Sequence, residues 1–153
     1  MQNETSAIPP FDERGNLPTG IYKATIDDVV RRFGGSKSLK RSVLSKNLKV
    51  FLDVIKHYAT AVYIDGSFVT SKLSPGDVDI VVILSNRFRS NNNVLGQLLQ
   101  FQKNYAKNKL HIFVCFETDL DKEEEMLNWF TTTRRDDNNN QFSKGIISLE
   151  IKS

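Results

Sequence analysis

Apolar positions along the chain follow two periods. From Ser38 to about Tyr58, Leu44, Leu48, Phe51, Ile55 and Tyr58 recur at spacings of four and three. That is one seam of a helix packed on a core. Val78 to Leu84 is apolar on both faces apart from Asp79, the pattern of a strand buried on both sides. Shorter β-branched and aromatic runs predict strands over Ala61 to Ile64, Leu110 to Phe116 and Ile146 to Ile151. A helix is expected from Ile26 to Phe33, capped by Thr25 with Asp28 in its first turn and ended by Gly34-Gly35. Further helices are expected over Val94 to Tyr105 and, with an acidic start, Leu120 to Phe130. A short helical segment is expected from Ser67 to near Lys72.

Residues 1–24 read as an N-terminal arm, because Pro9, Pro10, Gly15, Pro18 and Gly20 interrupt any regular element. Residues 25–153 then form a single domain, with a polar loop over 131–144. Helices come first and strands then alternate with helices. The predicted class is therefore α/β (or α+β): a small mixed sheet flanked by helices.

Composition narrows this picture in a few respects. With 153 residues the chain is long enough for one real core. Its longest apolar run is far short of the roughly 20 residues that cross a bilayer. The start, MQNETSAIPP, has neither the charge nor the apolar stretch of a secretory signal. Cys115 is the only cysteine, so an intrachain disulfide and a cysteine zinc cluster are both excluded, and a cytoplasmic setting is expected. The net charge of +3 is too mild to indicate nucleic-acid binding by itself.

Candidate chemistry lies between Tyr63 and Leu84. Gly66-Ser67 follows a strand and opens a turn, where a glycine lets the main chain approach a ligand and a hydroxyl adds a donor. Asp77 and Asp79 stand two apart at the start of a strand, so both project from one face with Cα atoms roughly 7 Å apart. Two carboxylates there repel unless a cation lies between them. Mg²⁺ suits such a pair, since it takes oxygen ligands and completes its shell with phosphates.

Taken together, strand, Gly66-Ser67, nine residues, Asp77-Val78-Asp79 and an apolar run resemble the signature of the DNA polymerase β-like nucleotidyltransferase superfamily. The resemblance covers about residues 61–84. It implies that Gly66 and Ser67 hold the phosphates of a nucleoside triphosphate, and that Asp77 and Asp79 ligate Mg²⁺, with two ions possible. It also implies transfer of a nucleoside monophosphate to a protein, RNA or small-molecule acceptor. The stretch Ile8 to Pro18, Gly66 to Lys72, and Lys144-Gly145-Ile146-Ile147 also resemble an uncharacterised bacterial family of stand-alone nucleotidyltransferase-like proteins, which brings no substrate.

Lys72 can reach a phosphate or stand as a solvated loop lysine. Superfamily members carry a third carboxylate on a later strand, between apolar residues. The matching position here is His111, with Glu117 and Glu150 as candidate substitutes. His111 is either a ligand or a strand residue with a structural hydrogen bond. This departure motivates the alternative of a catalytically degenerate module that binds a nucleotide or a partner protein, such as a toxin–antitoxin or defence component. Seven basic residues from Arg31 to Lys49 with no acidic one form either a nucleic-acid patch or a solvated helix face. Cys115, Trp129 and Phe130 are expected in the core.

Overall fold

The computed structural model describes residues 8–35, 38–130 and 144–151. The first helix, α1 (Ile26–Phe33), begins where expected. Thr25 accepts from the Asp28 N–H at 3.1 Å, and Asp28 accepts in return from the Thr25 N–H at 3.3 Å, a reciprocal cap. Ser38 caps α2 (Leu39–Ile55), and the seam Leu44, Leu48, Phe51 and Ile55 is fully buried. Tyr58 lies beyond the helix and packs edge-on against Phe88 at 5.0 Å.

Then follow β2 (Ala59–Asp65), a 3-10 turn at Ser67–Val69, β3 (Val78–Leu84), a 3-10 turn at Asn86–Phe88, α3 (Asn92–Lys103), α4 (Tyr105–Asn108), β4 (Leu110–Phe116), α5 (Leu120–Phe130) and β5 (Ile146–Leu149). The helical segment after Gly66 is thus shorter than expected and stops at Val69 rather than near Lys72. The side chains of Trp129 and Phe130, residue Lys37 and most of the polar loop lie outside the described residues.

One strand was not legible in the pattern. β1 (Ile21–Ala24), within the stretch taken as an arm, pairs in parallel with β5 from Ile21–Ile146 to Ala24–Leu149. Its four residues are too few for a period to show, and its partner lies at the other end of the chain. Among the described residues the sheet has the order β1-β5-β2-β3-β4, with β2 antiparallel to both neighbours and β3 parallel to β4. The class is a mixed α/β sheet flanked by helices in one domain.

Strand alternation divides the interior into two layers. Val62, Ile64, Ile80, Val82, Leu84 and Ile112 face the main core with α1, α2 and α3. Val81, Ile83 and Cys115 face the other side, with Tyr63, Phe113 and Met126 of α5 around them. Asp65, Asp79 and His111 share the parity of this second layer and stand in a row across β2, β3 and β4. That row is the sheet's polar end.

Candidate active site

The polar end is built from strand register. Asp79 is the one polar residue of β3 and pairs with Asp65 on one side and His111 on the other. His111 Nδ1 lies 3.2 Å from Asp79 Oδ1. Asp77 stands one residue before β3 on the same face, and the Tyr105 hydroxyl donates to its Oδ2 at 2.7 Å. One donor atom from each of Asp77, Asp79 and His111 lies within 4.8 Å of the others, the spacing of a metal cradle. Burial and the neighbouring Asp77 raise the Asp79 carboxyl above its ordinary pKa, while His111 and Lys144 pull it down.

Gly66 completes the cradle. Its φ of 85° and ψ of −171° belong to a region that side chains avoid. A Cβ there would meet Asp79 Oδ2 at 2.6 Å. The glycine thus lets the turn after β2 close over the Asp79 carboxylate, and the two halves of the motif touch in space.

Asp65 was not singled out from sequence. It is buried, and its Oδ1 lies 3.2 Å from Lys144 Nζ in an ion pair without hydrogen-bond alignment. Burial pushes its carboxyl up to about 6, partly offset by Lys144 and the Gly66 N–H. Its signal was present in the sequence as a charge closing an apolar strand beside Gly66. Tyr105 gave none, because it meets Asp77 from α4, 28 residues further along the chain.

The loop from Ser67 to Lys72 is held from beneath. Arg41 of α2 is buried, and its guanidinium donates to the carbonyls of Phe33 at 2.8 Å, Phe68 at 2.6 Å and Thr70 at 2.7 Å, and also to that of Lys72. From the other side the Ser71 N–H donates to the Gly15 carbonyl at 2.8 Å. Lys72 is exposed at the loop's end, its main chain fixed by Arg41 and by Thr70 Oγ1.

Two points left open by the sequence can be placed in the fold. Glu117 sits at the far end of β4, accepting from the Asn86 N–H at 2.9 Å. The length of the strand, about 20 Å, separates it from Asp79. Glu150 follows Leu149, which pairs with Val62, so it too lies away from Asp65. Neither stands beside Asp79; the residue paired with it on β4 is His111. Within the basic stretch Arg41 is internal, Arg31 pairs with Asp28 at 3.5 Å, Lys49 pairs with Asp27 at 3.9 Å, and Lys40 and Lys46 are exposed.

A family model described as a family of unknown function, DUF6932, matches residues 9–150. The chain belongs to this family. The DUF6932 match spans the N-terminal segment, the Gly66 loop, the Asp77–Asp79 pair and Lys144. No curated protein matches the chain. A solved structure from Sulfolobus solfataricus, described as a "putative nucleotidyltransferase", is similar at 17% identity and a TM-score of 0.36. That similarity covers 57% of this chain and 81% of the other. Among the described residues no helix is long and apolar enough to cross a membrane.

Proposed function

We propose that this DUF6932 chain is a Mg²⁺-dependent nucleotidyltransferase that moves a nucleoside monophosphate from a nucleoside triphosphate to a hydroxyl acceptor on a protein, an RNA or a small molecule. The supporting observation is the closure of Gly66 over the Asp79 carboxylate beside Asp77. It joins the glycine turn and the carboxylate pair of the sequence motif into one site. The donor set fits a divalent cation: two carboxylates and an imidazole converge, and Tyr105 and the strand register hold them in place.

In this reading Gly66 and Ser67 receive the phosphates, with Lys72 at the loop's end as a candidate contact. Asp77 and Asp79 hold Mg²⁺, which when bound offsets the charge on the phosphate oxygens during in-line displacement. The acceptor oxygen forms a bond to the α-phosphorus, the bond to the β-phosphate bridge breaks, pyrophosphate leaves, and the acceptor's proton passes to solvent. Arg41 and Gly15 keep the loop in place, so little ordering is left to binding.

The histidine on β4 where a carboxylate is expected favours a second reading, a module that binds a nucleotide or a partner protein without turnover. One experiment separates the two. Purified protein is incubated with each α-³²P-labelled nucleoside triphosphate and Mg²⁺, with and without lysate. Transfer of label that vanishes in the Asp77→Asn/Asp79→Asn variant is expected. Retained binding with no transfer supports the second reading, and full transfer by the double variant overturns the metal assignment.

A further inference from the structure

We infer that His111 is a third metal donor, so that the site proposed for Mg²⁺ also takes nitrogen-accepting first-row transition dications, for which Mn²⁺ is the probe, and gains more affinity for them from the imidazole than it does for Mg²⁺. The inference rests on the reading of this end of the sheet as a divalent-metal site and goes beyond it in naming a ligand and an ion class. Parallel pairing of β3 with β4 sets His111 directly beside Asp79, and Nδ1 faces Oδ1 at 3.2 Å. The imidazole is not a core group: half of its side-chain surface is open at 52%. Its ring packs on Phe113 at 4.4 Å and near Tyr105 at 5.8 Å, so its plane is held while its edge stays accessible. Tyr105 at the same time fixes Asp77 at 2.7 Å.

Charge is matched as well. Asp77 and Asp79 bring two carboxylates to one dication, while Lys144 makes its ion pair with Asp65. Mg²⁺ takes oxygen ligands and gains little from an imidazole, whereas first-row transition ions accept nitrogen and carboxylate together. The Nδ1 atom that faces Asp79 Oδ1 is the one placed to join the two carboxylates around an ion.

The test is calorimetric titration of metal-free, full-length protein with MnCl₂ and with MgCl₂, for wild type, His111→Ala and His111→Asp. Pulsed EPR of the Mn²⁺-loaded protein is recorded alongside to detect coupling to ¹⁴N. His111→Ala is expected to weaken Mn²⁺ binding by about tenfold or more while changing Mg²⁺ binding far less. His111→Asp is expected to narrow the preference for Mn²⁺, and the ¹⁴N coupling of the wild type should vanish in His111→Ala. Bound Mn²⁺ with no ¹⁴N coupling in the wild type overturns the inference, and this readout does not depend on either variant folding. Unchanged Mn²⁺ affinity in a folded His111→Ala also overturns it. Absence of nucleotidyl transfer with the ¹⁴N-coupled ion in place retires the proposed activity but leaves the ligand assignment standing.

Discussion

Asp65 shows what a single buried charge does to this fold. Its folded pKa of about 6 lies above the 3.8 of the free side chain, because burial disfavours the charged form more than Lys144 restores it. Below both values the carboxyl is neutral in both states and has no effect. Between them the folded chain keeps a proton that the unfolded chain has lost, so stability falls as pH rises from about 4 to about 6, and the penalty persists above that. Asp65→Asn removes the titration. Relative to wild type, the variant should therefore gain stability across that window, by up to roughly 3 kcal/mol. Urea unfolding at a series of pH values in chelator-treated buffer measures it. Parallel pH profiles for the two proteins would show that Asp65 is not held as described.

At the scale of elements, α2 does two jobs with its one buried face. Leu44, Leu48, Phe51 and Ile55 supply the core, and Arg41 reaches out of the same helix to gather the carbonyls of the Gly66 loop. A guanidinium is suited to this because its donors point in fixed directions from one plane. The charge pattern of α2 gave Arg41 no distinction from its exposed neighbours Lys40 and Lys46. Only the packing of the loop onto the helix start withdraws it from water. Arg41→Met leaves buried carbonyls without donors and should cost about 3 kcal/mol or more, since hydrogen bonds from a charged group are worth roughly 1.5–3 kcal/mol each. Arg41→Lys should recover only part of this. Denaturant titration of both variants tests the assignment, and a loss below about 1 kcal/mol in Arg41→Met would contradict it.

For the whole molecule, the N-terminal segment matters more than its composition suggests. Ile8 and Leu17 are buried, β1 closes the sheet against β5, and Gly15 holds the loop through Ser71. The Leu17 carbonyl accepts from Gly145 just before β5, which ties the two distant stretches together. Removing residues 1–24 uncovers the edge of β5 and strips the support of the Gly66 loop. An uncovered strand edge invites pairing between chains. The truncated chain should associate on gel filtration and lose cooperative thermal unfolding. A truncated chain that stays monomeric and melts cooperatively would mean that the segment is a dispensable arm after all.

Local pattern determined much of this protein. The bounds of α1, β3, β4 and α5, the buried seam of α2 and the placement of Asp77 and Asp79 on one face were all legible, because each depends on a period or a cap within a few residues. The Gly66-Ser67 turn was legible for the same reason, since its chemistry is carried by adjacent residues. The tertiary structure decided what depends on distant pairing. It placed β1 against β5, set His111 rather than Glu117 or Glu150 beside Asp79, and brought Lys144 to Asp65, Tyr105 to Asp77 and Arg41 under the loop. Strand order and register fix those neighbours, and neither is encoded in the spacing of residues along one strand. The motif's two carboxylates could be seen in the sequence, but the company they keep was set by the sheet.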